Sequence, residues 1–183
     1  MKEWEWEGFP KTVCCRNTLT ALTQALALYV DQNESNKEGG VFLSRDEWSN
    51  CTAEFEDNTP ISCGLQSLYS GSTRCSNVRV QDIKGQQPYL DALDQCSHFD
   101  QPFLPSCTHC TTAIFAVRNF LYDQFVGKEE FNPLETAVCG VAALVSLAAA
   151  NSQDPSLIDK FLRCFPLSPP SQGYFLTFSI TIS

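Results

Sequence analysis

The residues best equipped for chemistry in this chain are its cysteines, ten in 183 residues: Cys14, Cys15, Cys51, Cys63, Cys75, Cys96, Cys107, Cys110, Cys139 and Cys164. Cys107-Thr-His-Cys110 has the spacing of half a zinc site or of a dithiol redox centre, and Cys14-Cys15 sets two thiols side by side. Structural zinc needs a second ligand pair at similar spacing, and the nearest candidates, Cys96 and His98, are separated by one residue. A thiol oxidoreductase would carry its pair after a strand in a βαβ unit, and no such strand precedes Cys107. The plain alternative is five structural disulfides, with all ten cysteines as candidates. Cys107 and Cys110, about one helical turn apart, would staple their helix to two other segments. Adjacent cysteines on a helix point about 100° apart, so Cys14 and Cys15 are expected to join different partners.

No other side chains assemble into a catalytic pattern. His98 and His109 lack a nucleophile motif beside them and read as surface residues. Glu129-Glu130 and the Trp4-Glu-Trp6-Glu alternation read as solvated segments, and no phosphate loop, calcium loop or basic patch is present. The expectation is therefore a protein without catalytic residues, cofactor or metal, in which the cysteines serve the fold.

So many thiols fit an oxidising compartment, because the cytosolic redox poise keeps thiols reduced. At 43% hydrophobic residues the chain can bury a core of its own as one domain, with disulfides reinforcing it. A net charge of −9 and a pI near 4.6 argue against nucleic acid and anionic membranes as partners, since both require a basic footprint. The opening Met1-Lys-Glu-Trp-Glu-Trp-Glu lacks the apolar core of a secretory signal. The exported context is thus expected to lie outside this sequence. Asn33-Glu-Ser and Asn50-Cys-Thr are candidate glycan acceptors that agree with export. Ala137 to Ala150 falls short of the roughly 20 apolar residues that span a bilayer and reads as a buried helix. Membrane association would then come only through an anchor or transmembrane segment missing from the sequence.

The elements that must position the cysteines follow from periodicity. A helix is expected from about residue 10 or 12 to Val30, with Cys15, Leu19, Leu22, Leu26 and Tyr29 on one apolar face. Residues 31 to 40 read as a surface loop, and 41 to 85 as short helices and loops tied down by cross-links. Pro88 opens a helix carrying Tyr89, Leu93 and Cys96. Another begins near Cys107, continues through Ile114, Val117, Leu121 and Phe125, and ends at Gly127. Asn132-Pro-Leu-Glu135 has the cap, proline and glutamate of a capping box, and it opens the alanine-rich helix expected at the centre. Asp154-Pro155 starts a last helix that runs to Cys164. The tail after Ser168 reads as a linker and an apolar, strand-like end foreign to the domain.

Taken in order, Cys14-Cys15 before an apolar helix, Gly39-Gly40-Val-Phe-Leu43 before Cys51, then Cys63 and Cys75, lead to Tyr89-Leu90 and Leu93 before Cys96. Cys107-x-x-Cys110 then opens the Ala113-Ile114 helix, and Cys139 leads an alanine-rich helix to Cys164-Phe-Pro. This order resembles the SPARK domain, the extracellular module of plant receptor-like kinases and related GPI-anchored surface proteins. The resemblance covers residues 12 to 167 and leaves 168 to 183 as an atypical tail. It implies a non-enzymatic recognition domain on the outer face of the plasma membrane, with a protein or glycan ligand that the resemblance does not name. The chain lacks the kinase and the anchor, and it begins close to the double cysteine, where the family has further sequence and cysteine upstream. The fold expected is mainly α, a disulfide-rich compact helical domain with a loop-rich middle. The rival function is a secreted carrier of an apolar small molecule. Plant lipid-transfer proteins share the Cys-Cys pair, but their Cys-x-Cys step is absent here.

Overall fold

The computed structural model describes residues 13–33, 39–53, 63–99, 103–127 and 131–165. Seven α-helices and one 3-10 turn lie within them. The helices are α1 (Val13–Asn33), α2 (Arg45–Ala53), α3 (Val80–Ile83), α4 (Gln87–Gln95), α5 (Phe103–Phe125), α6 (Pro133–Ala149) and α7 (Pro155–Arg163), and the 3-10 turn is Cys75–Asn77. The only β-type pairing among the described residues is an isolated bridge between Gly40 and Arg79. The domain is mainly α with a loop-rich middle. The Trp4-Glu-Trp6-Glu segment, Glu129-Glu130 and the tail 168–183 lie outside the described residues.

Helix α6 is the centre, as its composition predicts. Asn132 accepts the first free N–H groups at Oδ1, from Leu134 at 3.0 Å and Glu135 at 3.1 Å, and Pro133 sits where its missing donor costs nothing. Every residue from Glu135 to Ala149 is buried. A helix apolar all round needs neighbours all round. Helices α1 and α5 supply the largest contacts on its flanks, and the 3-10 turn and α4 also touch it. The small side chains of Ala137, Gly140, Ala142, Ala143 and Ala148 let these neighbours approach closely. Ile114, Val117 and Leu121 of α5 and Leu19, Leu22 and Leu26 of α1 are all buried at 2% exposure or less.

Two helix boundaries differ from the periodicity reading. Helix α1 continues through Asp31, Gln32 and Asn33 into the stretch expected to be loop, because three polar residues without Gly or Pro add a solvated last turn at little cost. Helix α5 starts at Phe103, before the expected Cys107. Pro105 falls in its first turn, where no intrahelical N–H bond is required, so the proline does not bar the earlier start. The other end is as expected. Gly127 takes φ +83°, a left-handed conformation that glycine adopts without a Cβ clash, and its N–H donates to Tyr122 O at 3.0 Å.

The outer helices are fastened by side chains from both faces. In α4, Tyr89 is buried and its hydroxyl donates to Ser146 O at 3.1 Å. Helix α7 buries Leu157, Ile158, Phe161 and Leu162 on one face, with Asp154 as cap. Its end is held by Phe161 against Phe99, ring centres 6.0 Å apart, and by Phe165 edge-on to Phe115 at 5.7 Å.

Candidate functional site

Eight cysteines pair as Cys15–Cys63, Cys75–Cys139, Cys96–Cys110 and Cys107–Cys164, with Cα separations of 4.6–5.3 Å. Cys107 and Cys110 take different partners, one in α7's C-terminal cap and one after α4, as helical spacing predicts. Cys14-Cys15 departs from expectation. Only Cys15 pairs, and Cys14 is exposed at the first turn of α1, while Cys51 in α2 is the other unpaired thiol. The count is therefore four disulfides, not five. At the helix start Cys15 faces the core and the 100° step turns Cys14 to solvent, so the second of two adjacent cysteines has no neighbour to join. Each of the disulfides ties different elements: Cys15–Cys63 and Cys75–Cys139 hang the looped middle on α1 and α6, and the other two brace α5 against α4 and α7.

The middle is moored most firmly at Arg74-Cys75. Beside the Cys75–Cys139 bridge, the Glu135 carboxylate accepts the N–H of Arg74 at 2.8 Å and of Cys75 at 3.1 Å. The Arg74 guanidinium donates to Val126 O at 3.0 Å, placing a cation at the C-terminal end of α5. This corrects the capping-box reading, in which Glu135 would turn back to the N–H of Asn132. That N–H instead donates to Tyr122 Oη at 3.0 Å, which frees Glu135 to act across the fold. Cys75, Cys139 and Glu135 are also the one grouping of metal-type ligands among the described residues, but the two sulfurs are bonded to one another and the carboxylate holds backbone donors.

Beyond this mooring, backbone bonds tie the described parts of the middle to one another. Val41 N–H donates to Val78 O at 2.9 Å and Ser70 N–H to Leu43 O at 2.8 Å, while Trp48 of α2 is buried beneath. Ser44 and Glu47 form the capping box that starts α2: Glu47 Oε2 accepts from Ser44 N at 3.0 Å and from Ser44 Oγ at 2.6 Å. These bonds from Ser44 hold the Glu47 carboxyl below the usual range. The two sequon asparagines differ in setting. Asn50 is exposed on α2, whereas Asn33 is half-buried and donates through Nδ2 to Tyr29 O at 2.8 Å. His98 and His109 are both exposed, and among the described residues His98 bonds to Ser97 and Asp94.

Three open clefts are lined by described residues. One of about 510 Å³ lies at the C-terminal end of α6, where Ser152 Oγ donates to Asp31 Oδ2 at 2.9 Å and Lys84 also lines the cleft. A shallow apolar groove of about 390 Å³ runs between Pro88 of α4 and Ala113 and Ala116 of α5. The third, about 270 Å³, is formed where the end of α5 meets the start of α6, by Arg118, Asn119, Tyr122, Asp123, Phe131 and Thr136. Its guanidinium is held in place: Arg118 lies over the Phe115 ring at 4.6 Å and donates from Nε and Nη2 to Asn119 Oδ1 at 3.1 and 2.8 Å. Partial burial lowers the Arg118 pKa. Phe131 stands at the rim, 68% exposed, the most exposed of the large apolar side chains among the described residues. None of these six residues carries a sequence motif. Only the unprotected phenylalanine immediately before a helix cap offered a signal.

Comparison with known proteins places the chain in a family. The family model named SPARK matches residues 2–140, from before α1 into α6, and so spans nine of the ten cysteines, all but Cys164. No curated protein and no solved structure matches the chain. Four disulfides are consistent with an extracellular domain, and no helix among the described residues is long and apolar enough to cross a membrane. With its cysteine order placed on these helices and the match running over most of its length, the chain belongs to the SPARK domain family.

Proposed function

We propose that this protein is a non-enzymatic recognition module of a plant cell-surface protein, either the ectodomain of a receptor-like kinase or a GPI-anchored protein. The observation that carries the reading is the division of labour in the domain. Four disulfides and the α1–α6–α5 core make a rigid base, and the looped middle is pinned to that base at Cys63 and Cys75 while keeping its outer side chains in solvent. Loops held on a rigid scaffold are where binding residues concentrate. A carrier of an apolar molecule needs an enclosed cavity, and here the centre is filled by α6.

The test uses the disulfide-intact domain, secreted from an oxidising host and displayed as a fluorescent tetramer on plant cells. Saturable staining that untagged domain displaces is the expected result. Staining no greater than that of the reduced, alkylated protein would refute the reading.

A further inference from the structure

We infer that the cleft between the end of α5 and the start of α6 is a carbohydrate site, built to take one neutral pyranose ring of a glycan against Phe131. The inference rests on the recognition reading and deepens it by naming a ligand class. Its first ground is the pairing of donor and acceptor. A sugar hydroxyl both donates and accepts, so a ring with neighbouring hydroxyls needs both kinds of partner side by side. Asn119 and Asp123 stand four residues apart on α5, an interval that puts them on one face of the helix. Asn119 Oδ1 is already occupied by Arg118, which leaves its Nδ2 as a donor, and the Asp123 carboxylate is an acceptor only. Neither Nδ2 of Asn119 nor the Asp123 carboxylate bonds to protein among the described residues.

The second ground is the aromatic rim. A pyranose presents an apolar C–H face that packs on an aromatic ring, and Phe131 offers such a ring with two thirds of its surface in solvent. The third is order before binding. Arg118 is fixed by its stack on Phe115 and its two bonds to Asn119, and Tyr122 is fixed by the N–H of Asn132, so little side-chain freedom remains to be lost on binding. Size and charge narrow the ligand. A cleft of about 270 Å³ lies below the roughly 300 Å³ at which pockets for drug-sized ligands begin, so it takes a ring and leaves the remainder of a chain outside. A net charge of −9 disfavours polyanionic sugars, and Arg118 and Asp123 balance one another locally.

The experiment titrates the ¹⁵N-labelled, disulfide-intact chain with cellotetraose, mannotetraose and chitotetraose, each to about 10 mM, a range that covers the weak affinity of a single-ring site. At least one should give saturable shifts centred on the amides of residues 118–123 and 131–136. Phe131→Ala and Asp123→Asn should each weaken that binding tenfold or more without lowering Tm, since both side chains lie outside the core, and Phe131→Tyr should retain it. Shifts with none of the three sugars, shifts centred elsewhere, or unchanged binding by Phe131→Ala would overturn the assignment. Cell staining separates this outcome from failure of the broader reading. Staining that persists in Phe131→Ala and is abolished by protease treatment of the cells would leave a recognition domain with a protein partner and no sugar site, whereas absence of staining would remove both.

Discussion

Glu135→Ala is the most informative single perturbation, because one carboxylate holds the looped middle to the central helix. Glu135 is 8% exposed, and its two oxygens accept the N–H groups of Arg74 and Cys75 at 2.8 and 3.1 Å. Hydrogen bonds to a charged group contribute about 1.5–3 kcal/mol each, and a buried donor left without a partner keeps its full desolvation penalty. Removing the carboxylate also removes its own cost of burial, so the net loss should fall near the lower end of the sum, about 3 kcal/mol. At about 2–4 °C per kcal/mol for a domain of this size, Tm should drop by about 6–12 °C. Glu135→Gln should fall between, since one carbonyl oxygen remains while the amide nitrogen meets a second donor. The assay is thermal melting by circular dichroism without reductant, with mass spectrometry to verify that Cys75–Cys139 has formed in each variant. A drop of less than about 2 °C for Glu135→Ala with that disulfide intact would refute the mooring, leaving the bridge alone to position the middle.

Four further outcomes are expected. Leu144→Asp places an unpaired charge at a position with 0% exposure, a cost of several kcal/mol against a typical stability of about 5–15, so the exported protein should fail to accumulate, and normal yield and Tm would show that α6 is not central. Alkylation of the unreduced protein in denaturant should label Cys14 and Cys51 alone, with Cys14 the faster under native conditions; label on any of the other eight would contradict the pairing. Replacing Cys75 and Cys139 together by alanine should destabilise by about 1 kcal/mol more than replacing Cys96 and Cys110, because the bridges close separations of 64 and 14 residues, and the reverse order in denaturant unfolding would count against loop entropy as the source. Asp154 has a depressed pKa, first through the Ser156 hydroxyl, so its capping contribution is present above its ordinary value of 3.8 and fades as pH falls through the lower folded value; the stability gap to Asp154→Ala should shrink at acid pH, and a gap independent of pH would refute the link.

How far the fold was legible follows from the range of each signal. Helix α6 was readable because the Asn132 cap, the proline and the composition are consecutive in sequence and agree. The stripe of α5 and its glycine stop were readable for the same reason. The start of α5 was not, since Pro105 suits both a position before a helix and one inside its first turn. The Ser44-x-x-Glu47 box that opens α2 was equally local, yet it lies in a stretch whose glycines, serines and prolines read only as short helices and loops without boundaries. Cysteine pairing is another matter. Spacing forbids few partners, and it assigned Cys14 a bridge that the exposed side of α1 does not supply.

The functional surfaces were less legible than the fold because they are made where segments distant in sequence meet. Glu135 carried a valid local explanation as the last member of a capping box, and that explanation concealed its bonds to residues about sixty positions away. What displaced it was Tyr122, whose hydroxyl already serves the N–H of Asn132 and leaves the carboxylate without local work. The same tyrosine lines the cleft beside Phe131. One contact between α5 and the start of α6 therefore releases the glutamate inward, to hold the middle, and orders the outer wall of the candidate sugar site. A Tyr122→Phe substitution should act on both: the Asn132 N–H loses its acceptor, Glu135 gains a competing local donor, and stability should fall by about 1 kcal/mol, the usual worth of one hydrogen bond. Amide exchange read at Asn132, Arg74 and Cys75 would report the coupling. Faster exchange at Asn132 alone, with Arg74 and Cys75 unchanged, would show that the two ends of this contact act independently.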